Sequence, residues 1–262
     1  MSKKPKNTVP ILLKAVDILE AIAQGRVDTS TRSLATALKI PQSTCYRILQ
    51  SFVSKDWLRS VPGGGHEISF GIMPLLDSFA NHELLVGTVR APLNTLARET
   101  GLTVKMSIRQ GSNAVTIFRA ESPKATSVNV RLGSKFHLSL GSSGAIFLSQ
   151  LGAAEVAALI ANAPVECWAY QKESNVHARI NSVKKHGYAM DMGSYRRQLN
   201  AISAPLVLAN GQVIAAVTII GFGNDFLGKR DQIKDELLYT VGGCNRLVAG
   251  LHLRGGLNAL AP

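Results

Sequence analysis

Between Ser30 and Val53 the apolar positions follow a helical period that is broken once by a turn. Cys45, Ile48, Leu49, Phe52 and Val53 fall at i, i+3, i+4, i+7 and i+8, one stripe of a helix that starts near Pro41. Proline suits that first position because its missing N–H has no intrahelical acceptor to lose. A shorter helix precedes it, Arg32 to Leu38, with Leu34, Ala35 and Leu38 facing inward and Ser30 or Thr31 as its N-cap. Upstream, Ile11 to Ala23 reads as a helix with Ile11, Ala15, Ile18, Leu19 and Ile22 as core face, ended by Gly25. Downstream, Leu58–Val61 and Glu67–Phe70 bracket Pro62-Gly63-Gly64-Gly65 as a short hairpin, with Arg59 and His66 within reach of a phosphate or minor groove.

After Gly71 the pattern changes. Gly71 to Leu85 is an apolar helical stretch, and Val89 to Thr100 a second helix after a break at Gly87. Val104, Met106 and Ile108 alternate with polar residues, Val115 and Ile117 return the chain, and Val128 and Val130 suggest a further strand. Helical runs cover Gly144–Leu151, Ala153–Ala161 and Asn175–His186, and Tyr188–Met190 is a short strand. Asn210-Gly211 between two alternating apolar runs signals a type I′ hairpin. Arg230 to Leu253 closes the chain as a long helix. Antiparallel hairpins flanked by helices make an α+β fold.

The polar face of the second helix carries Gln42, Ser43, Thr44, Tyr46, Arg47, Gln50 and Ser51, with no carboxylate. Small donors and acceptors plus one cation suit a surface pressed on base edges and phosphates. Helix, tight turn and polar-faced helix is the helix-turn-helix plan, with an ordinary α-hairpin as the alternative. Charge supports the first. The chain of 262 residues has a net charge of +12. Residues 1–66 hold ten Lys/Arg against four Asp/Glu, about threefold the positive charge density of the remainder. Residues 1–8 are a lysine-bearing arm.

Other chemistry is hard to find. Cys45, Cys167 and Cys244 lack metal-site spacing, which points to a reducing compartment. The six histidines form no metal-binding pair, and no nucleophile elbow, phosphate-binding loop or dinucleotide fingerprint occurs. No catalytic residue, metal or cofactor is expected. With no apolar run of the roughly 18 residues needed to span a bilayer, the chain reads as cytoplasmic, without a membrane partner.

The order of segments resembles the IclR family of bacterial transcriptional regulators. The resemblance rests on IPQSTCYRILQSFVSKDWL, PLNTLARETG, RLGSKFHLSLGSSGAIFLS and HGYAMDMGSYRRQLNAISAPLVLANGQVIAAVTIIG, in that order. It implies a winged helix-turn-helix domain (1–71), a linker helix (72–86) and a GAF-like α/β effector-binding domain with an antiparallel sheet (87–262). It further implies a homodimer or homotetramer on double-stranded operator DNA, with a small carboxylate or aromatic effector. Carried onto this chain, the effector contacts would be the backbone of Ser142 and Ser143, and Asp191, Ala201, Thr218 and Ile220. Ser142-Ser143-Gly144 opens a helix, so free N–H groups there suit an anionic oxygen. Asp191 would instead accept from a ligand hydroxyl. The alternative to a sensor is a DNA-binding protein that answers to no ligand.

Several positions depart from the family pattern. His137, Leu138 and Ser139 replace a Pro-Leu-His run, and Ala145 replaces a lysine. Lys39 stands where glycine is common, and Ala201 and Ile220 are apolar where polar residues sometimes occur. The last two point to a bulkier, partly apolar acid as effector.

Overall fold

The computed structural model describes residues 8–25, 27–77, 80–194 and 196–251. The lysine-bearing arm through residue 7 and the last residues expected in the closing helix lie outside them. The chain divides into two compact units, 1–80 and 81–262. The division falls within the stretch read as a linker helix.

In the first unit α1 (Pro10–Gln24), α2 (Thr31–Leu38) and α3 (Gln42–Val53) pack with a hairpin of β1 (Leu58–Ser60) and β2 (His66–Ile68). Ile18, Leu34, Cys45, Leu49 and Leu58 are buried at the centre of the core. Ser30 caps α2, its hydroxyl accepting from the Ser33 N–H, while Asp28 accepts from both the Ser30 and Ser33 hydroxyls at 2.7 Å. Those hydrogen bonds lower the Asp28 pKa. One expectation fails at α1. Ile11 is 45% exposed, because the inward face of this helix is confined to its second half.

The turn between α2 and α3 passes through Lys39 in the left-handed region, at φ 54° and ψ 45°. The Ile40 N–H donates back to Ala35 O at 2.9 Å, and Ile40 itself is buried. This is the helix ending that glycine normally provides. A side chain here carries a steric cost on the order of 1 kcal/mol.

In the second unit, α4 (Met73–Asp77) having preceded it in the chain, α5 (Ala80–Thr100) runs without interruption. The expected break at Gly87 does not occur: Gly87 lies inside the helix, and Leu85, Val86 and Val89 around it are buried in one core. Six antiparallel strands follow: β3 (Thr103–Gln110), β4 (Asn113–Ala120), β5 (Lys135–His137), β6 (Ala189–Met192), β7 (Leu199–Val207) and β8 (Val213–Phe222). Their spatial order is β5-β4-β3-β8-β7-β6. Val128 and Val130 are not in a strand. Their carbonyls instead accept from the Thr103 hydroxyl and the Arg119 guanidinium. The edge strand beside β4 is β5, which was not expected from its sequence.

The sheet has two unlike faces. Val104, Met106, Phe118, Ile202, Val217 and Ile219 pack against α5 and against α9 (Arg230–Val248). The opposite face is covered near α6 (Gly141–Leu148), α7 (Ala153–Ala161) and α8 (Glu173–His186) by a second core that includes Ile146, Leu148 and Ile180. The Asn210-Gly211 hairpin forms, but not as type I′. Only Gly211 has a positive φ, 82°. Its N–H donates to Leu208 O, and the Leu208 N–H donates to Gln212 O. This is a type I turn closed by a left-handed glycine.

Replacing Lys39 by glycine leaves the fold intact and removes the left-handed penalty, less the extra chain entropy of glycine. The K39G variant is expected to be more stable by up to about 1 kcal/mol in chemical denaturation of the DNA-binding unit.

Candidate functional site

Two surfaces carry the chemistry. On α3, burial of Cys45, Ile48 and Leu49 turns Gln42, Ser43, Tyr46 and Arg47 outward, with Thr44 half-buried at the edge. Tyr46 is 54% exposed. Arg47 has no ion-pair partner among the described residues. The hairpin is less available than expected. Arg59 is ion-paired with Glu67, its cross-strand partner. His66 is buried, its Nδ1–H donating to Thr29 O at 3.2 Å, so it faces the protein and not a phosphate.

The second surface is a cavity of about 440 Å³ on the helix-covered face of the sheet. All six positions named from the sequence, Ser142, Ser143, Asp191, Ala201, Thr218 and Ile220, line it. Register explains the convergence. Lys105 lies opposite Thr218, and Thr218 opposite Ser203, in one cross-strand row. Asp191 lies opposite Ala201, and Ala201 opposite Ile220, in the next. Side chains in such rows share a face.

The start of α6 is pressed onto this face. An added Cβ on Gly144 would sit 2.0 Å from Leu138 O, so only glycine permits the approach. A hydroxyl chain then ties helix to sheet: Ser142 Oγ to Ser203 Oγ at 2.8 Å, and Ser203 Oγ to Thr218 Oγ1 at 2.8 Å. Leu140 at the N-cap supplies no side-chain acceptor. The N–H groups of Gly141, Ser142 and Ser143 therefore have no acceptor within the helix and lie at its positive end.

Asp191 is 3% exposed. Its Oδ1 accepts from the Ser194 N–H at 2.7 Å, while Oδ2 is buried without a partner. A lone buried carboxylate oxygen is costly unless something donates to it. The loop into α6 is held from behind. Gln171 Nε2 donates to Ser139 O, and the buried Arg179 guanidinium donates to Gln171 Oε1 and Ser139 O. Burial lowers the Arg179 pKa, with the nearby Asp191 charge acting in the opposite sense.

His137, Ser139 and Ala145, three of the departures from the family pattern, do not line the cavity, whereas Ala201 and Ile220 do. The His137 ring, whose pKa burial lowers, takes Ser139 Oγ and the Ser139 N–H at Nδ1. Their differences therefore act on loop packing.

Lys105 was not singled out by its sequence. On β3 it sits between Thr103 and Ser107 on the polar alternation, which reads as a solvated face. Here it is only 9% exposed and lines the cavity. Its Nζ lies 4.1 Å from the centroid of the Phe136 ring, and no described residue gives it a hydrogen bond or an ion pair. Burial pushes its pKa down from 10.5 to about 8. The available signal was a cation near the start of a central strand whose two faces must both be covered.

A model of the IclR helix-turn-helix domain matches residues 12–62, and one of the bacterial transcriptional regulator IclR C-terminal domain matches residues 79–244. The chain belongs to the IclR family of bacterial transcriptional regulators, DNA-binding proteins that answer to small-molecule effectors and are not enzymes. It is 25% identical over 219 residues to the transcriptional repressor IclR of Escherichia coli K12, covering 81% of this chain and 80% of that one. The crystal structure of the Thermotoga maritima IclR matches with a TM-score of 0.73 at 20% identity, covering 92% of this chain and 99% of that one. An IclR homologue from Microbacterium hydrocarbonoxydans, crystallised with 4-hydroxybenzoate, gives 0.72 at 15% identity over 92% and 100%. These two likenesses show the fold. No helix among the described residues is long and apolar enough to cross a membrane, and no cluster of three metal-ligating side chains occurs among them.

Below pH 8 the folded protein holds the Lys105 ion where burial disfavours its charge, while the unfolded chain holds it in water. The cost is full below the folded pKa of about 8, shrinks as pH rises toward 10.5, and is absent above. Lys105→Met is expected to stabilise the ligand-free protein at pH 7 by on the order of 2–3 kcal/mol. Melting curves across pH 7–10 check this: the advantage should fade with rising pH.

Proposed function

We propose that this protein is an effector-responsive, sequence-specific transcriptional regulator, in keeping with a catabolic operon, whose second unit senses an organic acid. Residues 1–71 form the DNA-binding part, 72–86 the connection and 87–262 the sensor. Gln42, Ser43, Thr44, Tyr46 and Arg47 contact the operator, with Arg47 on phosphate or guanine. The protein acts as a homodimer or homotetramer, placing recognition helices in successive major grooves about 10 base pairs apart or a multiple of that. Exposed Ile11, Leu12, Leu13 and Val16 on α1 support self-association.

The observation that carries the sensor reading is the pairing of unfilled donors with an unfilled acceptor in one cavity. Free N–H groups at Gly141, Ser142 and Ser143 suit a carboxylate, with the Thr218 hydroxyl beside them. The orphan Asp191 Oδ2 suits a ligand hydroxyl. Ala201 and Ile220 give the floor apolar area, and the volume exceeds what a two-carbon oxo-acid fills. A hydroxylated aromatic or longer-chain acid meets these requirements. The bound 4-hydroxybenzoate of the Microbacterium homologue is an acid of that class. Such a ligand would bias the placement of the DNA-binding parts through the connecting helix.

Two measurements test this. Arg47→Ala should weaken binding to a fragment of the upstream region by at least tenfold in a mobility-shift titration at physiological salt; unchanged affinity removes Arg47 from the interface. In thermal shift, 4-hydroxybenzoate should raise the melting temperature more than glyoxylate or pyruvate does. Tight glyoxylate binding with no response to aromatic acids would refute the bulky effector, and silence across a broad library of acids would favour a regulator without a ligand.

A further inference from the structure

The donors of the sensor reading are uncharged, yet the same cavity wall holds a buried ion that this reading leaves unused. Lys105 stands on β3 opposite Thr218 of β8, its cross-strand partner. The Cβ atoms of such a pair lie about 5 Å apart. The Thr218 hydroxyl is joined through Ser203 to Ser142 in the first turn of α6, so the helix start and the Lys105 stem meet one row of the sheet. The Lys105 ammonium itself is turned the other way, onto the Phe136 ring of β5. Its flexible four-carbon stem lets it swing back over Thr218 by rotation about its own bonds.

Lys105 is nine-tenths buried and has no ion pair with any described carboxylate. None of the elements that meet it at Thr218 offers a counter-charge, because β7, β8 and α6 contain no charged residue. Its partner on β4 is another cation, Arg119, which is ion-paired with Glu121. Arg131, Lys135 and Arg196 on the cavity wall are cations as well. The one carboxylate among the described lining residues is Asp191 on β6, at the opposite edge of the sheet, with Oδ2 beside Gly141. A cation buried without a counter-charge is held at a penalty that a bound anion removes.

We propose that Lys105 is the counter-ion of the effector's acid group, which it meets over Thr218, so that the cavity selects a charged acid over an uncharged molecule of the same shape. The inference rests on the sensor reading above and deepens it. The free N–H groups of α6 and the Thr218 hydroxyl orient the carboxylate, and the ammonium supplies the full charge. Backbone N–H groups and a hydroxyl also donate to a neutral carbonyl oxygen, so by themselves they separate an acid from its amide weakly. A buried ammonium separates them strongly, because a neutral ligand leaves it unpaired. Binding also restores the charge of the lysine. Its pKa, pushed down by burial to about 8 in the empty cavity, rises again once a carboxylate lies beside it.

The experiment compares acids with their amides by calorimetry on the full-length protein: 4-hydroxybenzoate against 4-hydroxybenzamide, and hexanoate against hexanamide. In the wild type the acid of at least one pair is expected to bind tenfold or more tightly than its amide. In Lys105→Met that acid should lose at least tenfold in affinity, while its amide stays within about threefold of wild type or undetected in both proteins. The melting curve of the variant without ligand confirms that it is folded. A second readout separates an ion that pairs with the ligand from a merely structural lysine. At pH 8, where about half of Lys105 is neutral in the empty protein, acid binding should take up a fraction of a proton, read from the heats in two buffers of different ionisation enthalpy. At pH 6.5, and in K105M, that uptake should vanish. Equal binding of acid and amide in both pairs overturns the proposal, as does acid affinity that survives in K105M or binding at pH 8 without proton uptake. Each of those results leaves the sensor reading standing on α6. If none of the four probes binds the wild type, the proposal and the sensor reading fall together.

Discussion

The cavity depends on one close contact, the approach of Gly144 to the backbone at Leu138. Any side chain at this position would occupy the space of the Leu138 carbonyl. With glycine, the first turn of α6 lies against the sheet, and its unpaired N–H groups face the cavity over that sheet. The hydroxyl chain through Ser142, Ser203 and Thr218 fixes the helix laterally. Arg179 and Gln171 fix the loop that feeds it. Enclosure matters because an N–H pair at a helix end is worth far more to an anion in a dry site than in water.

That enclosure sets a conflict. The same burial that would strengthen ligand contacts makes the ligand-free cavity expensive, with Lys105 charged beside an aromatic ring and an Asp191 oxygen left without a donor. The two groups are kept apart by three strands, so they cannot relieve one another. A site built this way gives up stability in the empty state and recovers it on binding, which is the condition for a ligand to shift a conformational population. The DNA-binding unit shows a smaller version of the same trade. Lys39 takes a left-handed backbone position that glycine would hold with less strain, in the turn that sets α3 relative to α2.

Legibility followed the range of the interactions involved. The helix-turn-helix was readable because each part is local: the i, i+3, i+4 stripe through Cys45, Ile48 and Leu49, the cap at Ser30, and Pro41 at the helix start. The hairpin at Asn210-Gly211 was readable as a turn but not as a turn type, since two backbone states share that dipeptide. The break assumed at Gly87 was absent because tertiary burial of Leu85, Val86 and Val89 outweighs the local weakness of glycine. Val128 and Val130 looked like strand residues because β-branched residues favour extended backbone, yet they pair with side chains and not with a strand. His66 and Arg59 looked available to DNA, and are occupied by Thr29 and Glu67. The six cavity positions came from a resemblance spanning most of the chain, and no local pattern singles them out.

The sequence by itself determined the two-part plan, the helix that presents a polar face, and the concentration of positive charge at the front of the chain, because these rest on periodicity and composition within short windows. Only the tertiary structure decided that Lys105 is a buried cation at one end of a cavity and that His137, Ser139 and Ala145 stand outside it. The reason is that burial of a strand's polar face depends on what other segments lie over it. Here those are β5, α6 and the chain between β4 and β5, and their placement is a property of long-range packing that no run of neighbouring residues encodes.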